Sequence, residues 1–181
     1  MNLIIKKVFI STIPVFLLLI ISNCSSTEKT ITALPYDPPD AIVTTNKVTT
    51  PQKYRTISFS KDGVFASNEF EGSRMNDFYQ VNDSTFVVEI EPENSPINNS
   101  AWYAFKIWSK KEKKIDLKLK YKDGTQRYKP KISYDGENWM LLDTNLVSVD
   151  SSQSVASLRL RINTDTLWIS AQELITSKYF N

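Results

Sequence analysis

Alternation of apolar and polar residues with a period of two is the feature that most constrains the fold of this chain. It runs through four segments, residues 86–90, 103–108, 115–121 and 158–162. Successive side chains of a strand point to opposite faces of a sheet, so each segment can bury one face and expose the other to water. The sequence therefore predicts an all-β protein.

Turn signals lie between several of these strand-like segments. Asp62-Gly63, Asp123-Gly124 and Asp135-Gly136 each place a glycine where a tight turn requires a positive φ. Three hairpins are predicted, within an antiparallel β-sandwich of jelly-roll character that contains roughly eight strands. Only residues 171–179 look competent to form a helix, so a short helical start is expected at the C terminus.

The N-terminal 24 residues have the features of a secretory signal. Lys6 and Lys7 precede an apolar run over residues 8–21, which is short for a membrane-spanning helix. Residues 21–24 then resemble a bacterial lipobox, in which the peptide is cut before a cysteine that receives the lipid. Cys24 is accordingly the predicted lipid-attachment site and the contact with the membrane, and an uncleaved signal-anchor remains the alternative. The expected location is the bacterial cell envelope, with the outer membrane preferred because Ser25 and Ser26 carry no charge.

The predicted organisation has four parts. Residues 1–23 are a lipoprotein signal peptide, and residues 24–52 are a tether whose prolines forbid long regular structure. Residues 53–170 form the β-sandwich. Residues 171–181 are interpreted as a truncated junction to a missing domain, because the helix-competent segment reaches the end of the sequence without a cap.

Composition argues against an enzyme. The 181 residues include no histidine and only one cysteine, Cys24. Histidine is the commonest general base and metal ligand, so no catalytic residue, metal site or cofactor is predicted. Lys6 and Lys7 account for two of the 22 basic residues, and the rest of the chain balances its 20 acidic residues. A balanced charge predicts no nucleic-acid partner.

Four stretches of sequence resemble the N-terminal β-sandwich domain of bacterial zinc carboxypeptidases of the cytosolic-carboxypeptidase-like type: residues 67–74, 92–98, 102–108 and 168–174. The resemblance implies that a catalytic α/β domain would follow, holding zinc through a His-x-x-Glu pair and a later histidine. None of those ligands exists in this sequence. The chain would then be a non-catalytic accessory domain of a lipoprotein whose catalytic domain is absent. Its expected partner is a peptidase domain, in trans or missing in cis, met through Trp168, Gln172 and Glu173 at the rim of the cleft.

A second resemblance keeps a competing function open. Residues 133–139 are similar to the Ser-x-Asp-Gly-x-x-Trp hairpin of discoidin-like carbohydrate- and lipid-binding sandwiches. Asp135, Asn138 and Trp139 could therefore form a platform for a glycan. A purely structural hairpin is the favoured interpretation. The alternative function is an independent lipid-anchored module that binds glycans or other envelope ligands.

Charge is unevenly distributed along the chain. Residues 106–131 carry eleven Lys or Arg against Glu112, Asp116 and Asp123, whereas residues 69–93 are acidic. A basic face on a lipidated protein could contact anionic headgroups or acidic polysaccharide. We favour pairing of the two segments across neighbouring strands.

Overall fold

The computed structural model of the chain describes residues 49, 51–61, 63–93, 99 and 102–177. The predicted signal peptide, Cys24 and most of the tether lie outside these residues. Within the described part of the chain, no helix is long and apolar enough to cross a membrane.

The described residues form eleven strands and one 3-10 turn, Thr144–Leu146. The strands are β1 Thr56–Phe59, β2 Val64–Ser67, β3 Asp77–Gln80, β4 Thr85–Ile90, β5 Ala104–Ser109, β6 Lys113–Tyr121, β7 Lys131–Ser133, β8 Met140–Leu141, β9 Val147–Val149, β10 Val155–Ile162 and β11 Leu167–Ser170.

The strands make two sheets that share one apolar core, which confirms the predicted β-sandwich. The six-stranded sheet has the order β1-β2-β5-β11-β7-β8, and the five-stranded sheet has the order β3-β4-β6-β10-β9. Pairing is antiparallel between all of these neighbours except β4 and β6, which are parallel. The expectation of purely antiparallel sheets is wrong at this pair, because the intervening β5 lies in the other sheet and β6 returns in the direction of β4.

The apolar residues of the predicted alternation form the core. In β6, Ile115, Leu117 and Leu119 are buried, whereas Lys114 and Lys120 are exposed. These inward side chains meet the inward residues of the opposite sheet, such as Phe105, Ile107 and Ile169, in one apolar cluster. Removing the apolar surface of these side chains from water is the main stabilising contribution to the fold.

Two of the predicted hairpin turns are confirmed. Gly63, between β1 and β2, and Gly136, between β7 and β8, have φ values of 61° and 82°. The hairpin predicted at Asp123-Gly124 is wrong, because the strands on either side of it belong to different sheets.

The helical start predicted over residues 171–179 is wrong over residues 171–176, which have irregular backbone. Ala171 donates its backbone N–H to the carbonyl oxygen of Tyr103 at 2.9 Å, which extends the pairing of β11 with the neighbouring chain. Leu174 is only 6% exposed. Tertiary packing of these residues outweighs their helix propensity.

A candidate docking surface on the six-stranded sheet

Trp168 lies on the outer face of the six-stranded sheet. Its neighbours in β11, Leu167 and Ile169, are buried in the core, so the indole points away from the core and is half-buried. Across the sheet, Trp168 pairs with Lys106 of β5 on one side and Ser133 of β7 on the other. The predicted interface residue therefore sits near the middle of an outward surface.

Two side chains pack on the Trp168 indole. The Phe70 ring meets it edge-on, with ring centroids 4.7 Å apart and an interplanar angle of 61°. The Lys106 ammonium lies 4.3 Å from the indole centroid and 5.1 Å from the Phe70 centroid. Edge-to-face packing and a cation over an aromatic face are both favourable, so the three side chains hold one another in place.

The β7–β8 hairpin also rests on Trp168. A Cβ atom added to Gly136 would lie 3.0 Å from the Cε2 and Cζ2 atoms of the indole, closer than packed carbons normally approach. Gly136 additionally has a φ in the left-handed region that favours glycine. The two sets of residues predicted from the sequence, the interface around Trp168 and the platform around Trp139, are therefore brought together.

Inside the hairpin, the Asp135 carboxylate is occupied by local hydrogen bonds. It accepts from the backbone N–H groups of Glu137 and Asn138 at 2.8 Å each, from the Ser133 hydroxyl at 2.8 Å and from the Asn138 side-chain amide at 2.7 Å. These bonds hold the pKa of Asp135 well below its usual range, and the bond from the Asn138 side chain has the largest effect. Trp139 is half-buried, and its indole N–H is buried without a partner. The polar edge predicted for a glycan is thus engaged in shaping the loop.

A turn at residues 70–72 ties down the segment that follows β11. The Gly72 carbonyl oxygen accepts a hydrogen bond from the Trp102 indole at 3.0 Å. A Cβ on Gly72 would lie 3.2 Å from a methyl carbon of Leu174. The Glu71 carboxylate accepts from the backbone N–H and hydroxyl of Ser177 at 3.3 and 3.1 Å. Residues 171–177 are consequently held against the sandwich.

The other two predicted interface residues flank this segment. Gln172 and Glu173 are exposed. The Glu173 carboxylate forms an ion pair of 2.5 Å with the ammonium of Lys131 in β7. Lys131 lies opposite Ser170 in the β7–β11 register, so the Glu173 carboxylate lies near the C-terminal end of β11.

A second aromatic pair extends the surface. Phe65 of β2 and Trp108 of β5 lie opposite each other in register and are stacked, with centroids 5.3 Å apart and an interplanar angle of 5°. We call the half-exposed group formed by Phe65, Phe70, Lys106, Trp108 and Trp168 the aromatic face. Sequence reasoning did not place Phe65, Phe70 or Lys106 in a site, because nothing in their local pattern shows which distant side chains they meet.

In the part of the chain that the structure describes, no three His, Cys, Asp or Glu side chains are arranged to hold a metal ion. The aromatic face offers planar apolar rings, one ammonium group and the Glu173–Lys131 ion pair. Such a surface can bury against another protein surface.

Comparison with known proteins identifies the family. No curated protein matches the chain. A family model described as the cytosolic carboxypeptidase N-terminal domain matches residues 66–173, more than half of the 181 residues. The match includes the turn at residues 70–72, the Phe70–Trp168 pair and Glu173. The N-terminal domain of this carboxypeptidase family is itself non-catalytic. The chain therefore belongs to the cytosolic carboxypeptidase N-terminal domain family.

Proposed function

We propose that this chain is the accessory β-sandwich of a lipid-anchored, zinc carboxypeptidase-like protein of the bacterial cell envelope. It packs through the aromatic face against a peptidase domain, supplied in cis or in trans, and shapes the rim of that domain's cleft. The observation that carries the proposal is the position of Trp168, half-exposed on an outer sheet face and braced by Phe70, Lys106 and Gly136.

The aromatic face has the composition of a protein interface. The outward face of a two-sheet sandwich is normally polar, because it meets water. Here two tryptophans and two phenylalanines lie on or against it, and aromatic residues are enriched at the centres of interfaces. Their mutual packing fixes their rotamers before a partner arrives, which lowers the entropic cost of association.

The segment after β11 also supports contact with a peptidase domain at the aromatic face. Contacts from Glu71 and Gly72 hold residues 171–177 beside Trp168, and the ion pair with Lys131 fixes the Glu173 carboxylate. Exposed Gln172 and Glu173 are then available to a neighbouring domain at the edge of the same surface. The lipid anchor and the outer-membrane location rest on residues 6–24 of the sequence.

Binding to a peptidase domain tests the proposal. A zinc carboxypeptidase catalytic domain from the same genome is titrated with the full chain, and the dissociation constant is measured by isothermal titration calorimetry. Trp168→Ala should weaken binding about thirtyfold or more, as expected for a central aromatic contact. Tyr79→Ala, at a half-exposed aromatic residue on the outer face of the other sheet, is the matched control and should leave the affinity unchanged.

A second variant guards against misfolding. Gln172→Arg changes an exposed side chain outside the core and should also weaken binding, by about tenfold. If both variants bind as the wild type does, the aromatic face is not the docking surface. If the chain instead binds glycans on an array, and Trp139→Ala abolishes that binding, the independent-module alternative replaces this proposal.

A further inference from the structure

A groove of about 590 Å³ lies on the five-stranded sheet, whereas the aromatic face lies on the six-stranded sheet. Three cationic side chains line it: Lys114, Arg159 and Arg161. Asp116 contributes a carboxylate, and Leu146, which is 36% exposed, adds an apolar edge. Lys114 and Asp116 come from the basic segment, residues 106–131, whereas Arg159 and Arg161 lie outside it. The groove has no role in the proposed peptidase contact.

Asp116 is the unusual group in this groove. It lies directly opposite Arg159 in the β6–β10 register, and Lys114 and Lys118 flank it on the same face of its own strand. Among the described residues it nevertheless makes no ion pair, and its Oδ1 atom is buried without a hydrogen-bond partner. Nearly all buried polar atoms have a partner, so the Asp116 carboxylate is unusual in having none within the described part of the chain.

The neighbouring cations are directed elsewhere. Arg159 donates from Nη2 to the backbone carbonyl oxygen of Asn145, and Arg161 pairs with Glu112 at 2.7 Å. Lys114 is exposed and forms no ion pair with any described residue. The groove therefore keeps an unfilled carboxylate oxygen close to cationic groups that do not neutralise it.

The rest of the basic strand behaves differently. Lys120 of β6 pairs with Glu89 of β4 at 3.0 Å, and Lys122, just after β6, pairs with Glu91, just after β4, at 3.1 Å. Charge pairing across neighbouring strands, as favoured from the sequence, is confirmed for these two lysines. It does not extend to the groove.

A ligand that completes the groove must bring an anion for the Lys and Arg side chains and an N–H or O–H donor for Asp116. A phosphoethanolamine headgroup carries both, as a phosphate next to a primary ammonium. Inorganic phosphate would supply the anion but no ammonium group, and it would fill a small part of the volume. The apolar edge at Leu146 suits the acyl end of a lipid.

We propose that this groove binds the headgroup of a membrane phospholipid of the ethanolamine type, with the phosphate at Lys114 and Arg159 and the ammonium at Asp116. The predicted lipid on Cys24 would bring the domain to such a surface. The groove would therefore meet headgroups at high effective concentration.

The first experiment uses a soluble probe. The full chain in a neutral detergent is titrated with glycerophosphoethanolamine, and binding is measured by isothermal titration calorimetry. Arg159→Gln, Lys114→Gln and Asp116→Asn should each weaken binding about tenfold, the effect of losing one charge-assisted hydrogen bond. Lys120→Gln removes the same charge from the same strand outside the groove and should leave the affinity unchanged.

The substitution at Lys114 changes an exposed, unpaired side chain, so it separates loss of binding from loss of folding. Equal affinity of the wild type and all three groove variants would overturn the proposal. So would binding of inorganic phosphate or of polyglutamate as tightly as glycerophosphoethanolamine, since neither carries an ammonium group to pair with Asp116.

A second experiment identifies the lipid as the source of the headgroup. The full chain is placed in nanodiscs of phosphatidylcholine, with or without phosphatidylethanolamine, and amide hydrogen exchange is measured along β6 and β10. The choline headgroup carries a phosphate but no N–H group. Protection should increase only when phosphatidylethanolamine is present, and equal protection in both nanodiscs would contradict a site that uses Asp116.

Discussion

The two outer faces of the sandwich differ in chemistry although the same alternation builds both. On the five-stranded sheet, outward residues of β4 and β6 pair as ions, as in Glu89–Lys120. On the six-stranded sheet, the outward positions of β5 and β11 hold Trp108 and Trp168, each packed on a phenylalanine. The first arrangement suits water, and the second suits burial against another surface. The residue types at outward positions, rather than the fold, distinguish the charged face from the aromatic face.

The largest expected effect tests how tightly the aromatic face is packed. Gly136→Ala forces a side chain into a left-handed backbone and places its Cβ 3.0 Å from Trp168. It should lower the free energy of unfolding by about 3 kcal/mol, from backbone strain and overpacking together. Denaturant unfolding monitored by circular dichroism measures the change.

Gly124→Ala makes the same substitution at a glycine without a positive φ, and its effect should stay within about 0.5 kcal/mol. Equal losses for the two glycines would mean that the hairpin does not rest on the indole.

A smaller effect compares the two faces directly. Trp168→Ala removes the contacts with Phe70 and Lys106, and should cost about 2 kcal/mol because the ring is only half-buried. Lys118→Ala, on the outer face of the other sheet, should change stability by less than about 0.5 kcal/mol. Thermal and denaturant unfolding give both values. Similar costs at the two positions would remove the distinction between a packed and a solvated face.

The smallest effects separate the faces by pH. Asp135 has a folded-state pKa below its ordinary value of 3.8, chiefly through its hydrogen bond from Asn138. The contribution of the Asp135 carboxylate to folding stability is therefore complete above pH 3.8. It is lost as the pH falls through the folded-state pKa. The folded-state pKa of Lys120 lies above its ordinary value of 10.5, chiefly because of the hydrogen bond with Glu89. The contribution of the Lys120 ammonium to folding stability is therefore complete below pH 10.5 and is lost as the pH rises through the folded-state pKa.

Unfolding measured as a function of pH should show that Asp135→Asn flattens only the acidic limb and Lys120→Gln only the alkaline limb. A change in the opposite limb for either variant would show that another group is responsible. High salt should weaken the alkaline effect, because the Lys120 pair is exposed.

Much of the fold could be predicted from local pattern. Ile115, Leu117 and Leu119 alternate with polar residues and are buried together, because strand periodicity is a property of consecutive residues. Val87 shows the limit of this reasoning. It falls on the outward side of β4 yet is only 4% exposed, because its neighbours Tyr79 and Lys118 lie on either side of it. Burial there depends on adjacent strands rather than on the local sequence.

The site was predicted only in part. Trp168 and the hairpin residues were singled out from sequence, but their meeting was not, because Phe70, Gly136 and Trp168 are far apart along the chain. The prediction of a helix after β11 was wrong for a similar reason. Leu174 packs on Gly72, which is distant in sequence, and local helix propensity does not reveal that contact. Period-two patterns also do not encode which strands pair, and the parallel β4–β6 contact was missed accordingly.

The path of the chain between the sheets has a consequence for how the molecule comes apart. The backbone crosses from one sheet to the other after β2, β4, β5, β6, β8 and β10. Neither layer is encoded by a continuous stretch of sequence, so neither can melt or be removed by a protease as a separate piece. Loss of one layer should entail loss of the other in a single cooperative event.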